Sequence, residues 1–286
     1  MLGYLLIAVF TLLNLTESVL VRNYAKKHGS GGMLMNAIVA LFATLFFVIT
    51  DTDGFYAPIE MIPIAVLNAF LFGAGFYTSF LAYRCGPYGL TRLISNFSLL
   101  FSIFYGIFFL NEQPGITTYI GIVMIFAAMV LINYKKKGED EKGVSLKWFI
   151  CVTISLVANG FIAILTRMQQ IRFNDTCSKE FQIISIGGSF LLLAVIGLIL
   201  DRDKLARFLK HGVLYGIGAG IANGAKNFLT LVIYMLLPLS VVSPMKTGLG
   251  MLATFALALF VYKEKYSKKQ IVGVILGVAA VLLLAF

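Results

Sequence analysis

The sequence predicts an all-α integral membrane protein with ten transmembrane helices, arranged as two five-helix inverted-topology repeats. Three observations carry that prediction. Of the 286 residues, 59% are hydrophobic and 13% charged, and the mean hydropathy is +0.92. A soluble domain carries about 25% charged residues, so a water-soluble globular fold is excluded. Apolar runs long enough to cross a bilayer recur along the whole chain. The chain also repeats itself. Tyr83, Pro87, Glu112 and Gly121 are answered by Tyr234, Pro238, Glu264 and Gly273, with spacings of four (Tyr to Pro) and nine (Glu to Gly) in both copies. The copies are offset by 151 residues at the first two positions and by 152 at the last two.

The spans fall at about 2–21, 32–50, 61–83, 88–110, 116–134, 147–166, 180–200, 211–236, 240–262 and 268–286. In the first, Asn14 precedes Arg22 by eight residues, as Asn159 precedes Arg167 in the sixth. The second span ends at an acidic loop with Asp51, Asp53 and Glu60. The third reads Gly73-Ala74, then Tyr83 and Pro87; the eighth reads Gly224-Ala225, then Tyr234 and Pro238. In the eighth, Gly212, Gly216, Gly220 and Gly224 share one helical face, and Ala65, Ala69 and Gly73 match the last three in the third span. Small residues on one face let two helix backbones approach closely; sliding of these helices is the functional alternative to tight static packing. A charged linker at 138–146 separates the first repeat, 1–137, from the second, 147–286. Five spans per copy, an odd number, insert the second copy upside down relative to the first.

Lys and Arg concentrate in the loops after odd-numbered spans, as in Lys26 and Lys27, Lys135 to Lys137, and Lys268 and Lys269. The loop after the sixth span, with Arg167, Arg172 and Lys179, breaks the pattern. The positive-inside rule then places the odd loops in the cytoplasm and both termini outside. The net charge of +10 is read as topology, not as a nucleic-acid surface. The expected location is the bacterial cytoplasmic membrane, as a multi-pass protein. Cys85, Cys151 and Cys177 have no metal-ligand spacing. A phosphate loop, a His-Glu-x-x-His helix and a Gly-x-Ser-x-Gly elbow are all absent, so no cofactor, metal or enzyme activity is expected.

Each half closes on Glu, a short polar turn and a Gly-containing last span, at 111–114 to Gly121 and at 263–266 to Gly273. With two five-helix halves, this pattern resembles the EamA type of the drug/metabolite transporter superfamily. The resemblance covers essentially the whole chain. It implies a ten-helix carrier of small metabolites whose central cavity is lined by the first, third, fourth, sixth, eighth and ninth helices. The superfamily is often described with both termini cytoplasmic, opposite to what the loop charges indicate here. Its small multidrug members use a glutamate in the first helix.

Ionisable groups within a span cost roughly 2.5–3.5 kcal/mol on insertion scales, which makes them candidates for function. Glu17 lies on the same face as Asn14, and desolvation favours the neutral form of such a carboxylate, as proton exchange requires. Lys226 sits mid-span between Asn223 and Asn227, where the first copy has Gly75; its natural partner is Glu17. Lys246 and Arg92 lie early in the ninth and fourth spans. If both face the cavity the site is net basic and favours a carboxylate or phosphate. Tyr77, Asn96 and Asn159 are polar residues in spans that either line the cavity or bridge helices, as is Asn68. Glu112 and Glu264 read as turn or cap residues, and Trp148 beside Lys147 as an interface anchor.

The function expected from these residues is secondary active transport of a small polar metabolite, of amino acid or organic anion type, by alternating access with proton coupling. The alternatives are a flippase for an amphiphilic lipid-like substrate and an exporter of a quaternary amine that uses Glu17. The expected partners are the substrate, the lipid bilayer and a proton, with no nucleic acid, and the chain works as a monomer or a homodimer.

Overall fold

The computed structural model describes residues 2–28, 31–51, 54–109, 115–133, 145–174, 176–236, 239–264 and 266–283. Glu112, Pro238 and most of the charged linker lie outside the described residues. Among the described residues every regular element is helical: α1 (Leu2–Lys27), α2 (Gly32–Thr50), α3 (Ile62–Cys85), α4 (Tyr88–Asn96), α5 (Leu99–Phe109), α6 (Ile116–Asn133), α7 (Leu146–Arg172), α8 (Ser178–Leu200), α9 (Leu205–His211), α10 (Val213–Leu236), α11 (Leu239–Phe260) and α12 (Lys268–Leu283). Among the described residues, α1, α2, α3, α7 and α8 are long and apolar enough to cross a membrane, and shorter apolar stretches lie at Tyr119–Ala128 and Lys246–Phe260. Large apolar side chains such as Leu5, Phe70, Phe126, Val195, Leu214 and Ile275 point outwards, as lipid contact requires.

The predicted fourth span is not one helix. It stops at Asn96 and restarts at Leu99. Through the break the backbone bonds tighten to three-residue reach, with Phe97 N donating to Ile94 O (3.0 Å), Ser98 N to Ser95 O (3.2 Å) and Phe101 N to Ser98 O (3.1 Å). Upstream, the Thr91 and Ser95 hydroxyls bond the carbonyls of Pro87 and Thr91, at 2.7 and 2.9 Å. Such back-bonding loosens and bends a helix.

Packing follows the small residues. The α10 helix lies along α1 and α2, α3 lies along α7 and α8, α2 meets α8, and α6 meets α12. Gly216, Gly220 and Gly224 face α2, where a Cβ on Gly220 would stand 2.7 Å from Val39 O and one on Gly224 2.6 Å from Phe46 Cβ. The first residue of the predicted stripe, Gly212, abuts Phe208 of α9 instead. On α3, Ala69 lies where a Cβ on Gly188 of α8 would stand 2.8 Å away. Gly121 and Gly273 are buried in α6 and α12, which pack on one another. Asn68 bridges helices, donating to Ser185 Oγ of α8 at 3.2 Å.

Trp148 corrects the sequence reading. It is no interface anchor but wholly buried, and its indole N–H donates to Thr91 Oγ1 at 2.8 Å. The ring fills the space above Gly86, where a Cβ would come within 2.1 Å of it.

Substituting Gly220→Val should cost about 1–3 kcal/mol through overpacking against the α2 backbone, seen as a lower melting temperature in detergent. Gly250→Ala, where a Cβ would meet no heavy atom within 4 Å, should change stability by about 1 kcal/mol or less.

Candidate substrate site

The contact between α1 and α10 buries two opposite charges. Glu17 Oε2 accepts from the Lys226 ammonium, and Glu17 Oε1 accepts from Asn223 Nδ2 at 2.8 Å. Lys226 also donates to Asn14 Oδ1 at 3.3 Å, and Asn227 Nδ2 donates to Asn223 Oδ1 at 3.0 Å. The two charged side chains are only 15% (Lys226) and 12% (Glu17) exposed. A desolvated ion pair is favoured where its remaining hydrogen-bonding capacity is also used, as Asn14 does for Lys226 and Asn223 for Glu17, with Asn227 bonded in turn to Asn223. One turn on from Lys226, Thr230 relays the network: its Oγ1 accepts from Lys246 Nζ at 2.9 Å and donates to Lys226 O at 2.9 Å. Lys246 Nζ also stands 4.0 Å from the centre of the Phe10 ring.

Beside this pair lies a cavity of about 200 Å³. Its walls come from Phe10 and Asn14 of α1, Arg92, Ser95 and Asn96 of α4, Ser98 at the helix break, Asn159 of α7, Lys226 of α10, and Lys246 and Thr247 of α11. Of the residues predicted from sequence, Asn14, Arg92, Asn96, Asn159, Lys226 and Lys246 therefore meet around one space. Glu17, Asn223 and Asn227 do not line it: Glu17 holds Lys226, Asn223 holds Glu17, and Asn227 bonds Asn223. Tyr77 is half-buried on α3 and is not among the lining residues. Sequence reasoning missed Phe10, Ser95, Ser98, Thr230 and Thr247. The serines flanking Asn96 were the available signal, a polar cluster inside an apolar span. Asn159 spends both amide hydrogens on Ser155, at 2.7 Å to its carbonyl and 3.3 Å to its hydroxyl.

A second cluster closes the arrangement beyond the pair, towards the C-terminal end of α1. Glu264 accepts from Arg22 (3.1 Å), from the backbone N–H groups of Tyr88 (2.7 Å) and Gly89 (3.0 Å), and from the Tyr266 hydroxyl (2.6 Å). It thus caps the N-terminus of α4, another helix altogether, where a carboxylate is favoured. Burial first, and then the Glu264 bond, raise the Tyr266 hydroxyl above its ordinary range, so it stays a donor. The Arg22 guanidinium lies 3.3 Å from the centre of the Tyr262 ring, and Tyr88 shares a 2.6 Å hydrogen bond with Ser18.

Residues 1–134 match the EamA-like transporter family. That match covers the first repeat, just under half of the chain, and places it in the drug/metabolite transporter superfamily. It is an integral, multi-pass membrane protein of a transporter family. A solved crystal structure aligns with it at a TM-score of 0.60, with 13% identity, over 96% of each chain. That likeness concerns the fold alone, and it extends through both halves. Comparison with curated proteins gave no match.

The Glu264 cluster is a stability element. Glu264→Ala strands Arg22 and uncaps α4, and should cost about 3–5 kcal/mol. Tyr266→Phe removes one hydrogen bond to a charged group and should cost about 1.5–3 kcal/mol. Melting temperatures of the purified variants check the ranking; equal losses would contradict the capping role.

Proposed function

We propose that this protein is a secondary active transporter that moves a small polar metabolite by alternating access, coupled to a proton. The observation that carries the reading is the buried Glu17–Lys226 pair between α1 and α10, set directly beside a polar cavity walled by both halves of the chain. An inverted ten-span repeat fits the packing when α4 and α5 are counted as one interrupted span and α9 as a surface turn. The pairing of α1 with α10 then corresponds to that of α7 with α3, and α2 with α10 to α8 with α3. Interrupted helices beside a central site are a recurring feature of such carriers.

Coupling follows from competition. Glu17 and Asn14 hold the Lys226 ammonium. A proton on Glu17 removes the charge that restrains Lys226 and leaves the ammonium available to the cavity, and loss of the proton recaptures it. The Arg22–Glu264 cluster lies on the side of this pair away from Phe10, so it serves as the closure at that end. Arg167 and Glu112 are the sequence counterparts of Arg22 and Glu264 in the repeat. The loop charges support an orientation with both termini outside the cytoplasm; the membrane we propose is the bacterial cytoplasmic one.

Uptake into proteoliposomes under an imposed pH gradient tests the reading. Glu17→Gln should transport without pH dependence, and Lys226→Ala should lose at least tenfold in affinity, about 1.4 kcal/mol, with folding retained. Retained pH dependence in the first variant removes Glu17 from coupling. Lipid scrambling without movement of any water-soluble solute rejects the carrier reading in favour of a flippase.

A further inference from the structure

Resting on the carrier reading, we infer that the substrate is a small net-anionic organic acid whose carboxylate is held by Arg92, not a zwitterionic amino acid and not an amine. The charged residues lining the cavity are Arg92, Lys226 and Lys246, all cationic, and no acid stands among the described lining residues. The carboxylate that sequence reasoning offered to a cationic substrate, Glu17, is set behind Lys226. Each of its oxygens already accepts a bond, one from Asn223 and one from Lys226. Nothing in the described wall therefore neutralises an ammonium group, whereas a carboxylate enters a space of matching charge.

Arg92 has the features of a carboxylate grip. Tyr83 holds its side chain through a hydrogen bond. Its Nε is buried without a partner in the protein, and among the described residues no carboxylate pairs with it. Arg92 thus brings to the cavity wall a positive charge that an anionic group would neutralise. The planar fork of Arg matches the two oxygens of a carboxylate. The second handle is Asn159. Ser155 takes its amide hydrogens, so its Oδ1 remains as an acceptor for a substrate hydroxyl. A cavity of about 200 Å³ suits a small solute.

The test is a melting-temperature titration of the purified protein with L-lactate, L-malate, L-alanine and choline, followed by counterflow of the same compounds in proteoliposomes. Lactate or malate should raise the melting temperature in proportion to the logarithm of concentration, and alanine and choline should not. Arg92→Gln should weaken acid binding at least tenfold, with Arg92→Lys intermediate because it keeps the charge and loses the fork. Binding of alanine or choline in preference to the acids overturns the proposal and leaves the carrier reading standing. Acid binding unchanged in Arg92→Gln overturns the role of Arg92. The wild-type preference needs no variant, so a misfolded Arg92→Gln leaves the proposal exposed to refutation. Binding of none of the four also overturns it. Counterflow of another water-soluble solute in the same vesicles then marks that failure as one of substrate class only. Lipid scrambling alone marks a failure of the carrier reading as well.

Discussion

A charge cannot stand alone in the interior of a bilayer, and the Glu17–Lys226 pair is where this chain meets that constraint. The Lys stem at mid-span is too deep to snorkel to either surface. It must be neutralised within the protein, and Glu17 supplies the opposite charge from the neighbouring helix. The consequence is geometric. The α1 and α10 helices must lie side by side in a register that brings Asn14 and Glu17 against Asn223 and Lys226. Gly216, Gly220 and Gly224 let α10 sit close on α2 along its other side. One face of α10 is thus specified by charge and the other by volume.

The same pair bounds the site. It forms a floor between the cavity and the Arg22–Glu264 cluster, so the two polar regions along α1 do different work. In the cluster the positive charge is paired: Glu264 accepts from two backbone amides, a phenol and the Arg22 guanidinium, which also lies on Tyr262. On the cavity side, no carboxylate among the described residues pairs with Arg92. A paired buried charge holds a structure together, whereas an unpaired one favours an incoming counter-charge. That contrast distinguishes the structural cluster from the candidate site more clearly than residue type does, since both contain an arginine.

Much of this was legible in the sequence where a single residue broke a strong pattern. Glu17 and Lys226 were visible as opposite charges inside apolar spans, and their partnership followed from the scarcity of alternatives. The glycine stripe announced close packing, correctly for three positions and wrongly for Gly212, because the chain turns at α9 before the long helix begins. Features set by tertiary neighbours were not legible. Trp148 looked like an interface residue because it follows a lysine, yet its place was decided by a gap over Gly86, which lies 62 positions away in the sequence and in no local pattern. The break at Phe97 and Ser98 carries no Pro or Gly, and arises from hydroxyls turning back on their own helix. Glu264 read as a local cap, and no local signal names α4 as the helix it caps.

The helix break joins these strands. Arg92, Ser95 and Asn96 stand at i, i+3 and i+4 and so share one face of α4. The tightened turn adds Ser98 to the same wall. It also separates α4, fixed at its N-terminus by Glu264 from the far end of the chain, from α5, which packs on α7. The residue proposed to grip substrate thus sits on a short rigid helix anchored to the second half, next to a joint in the first. If the Arg22–Glu264 closure opens, α4 is released from Glu264, and Arg92 would move with the first half while Asn159, on α7, stays with the second. Substrate held between the two would then bias the relation of the halves, because it bonds to both only in the arrangement that brings them together.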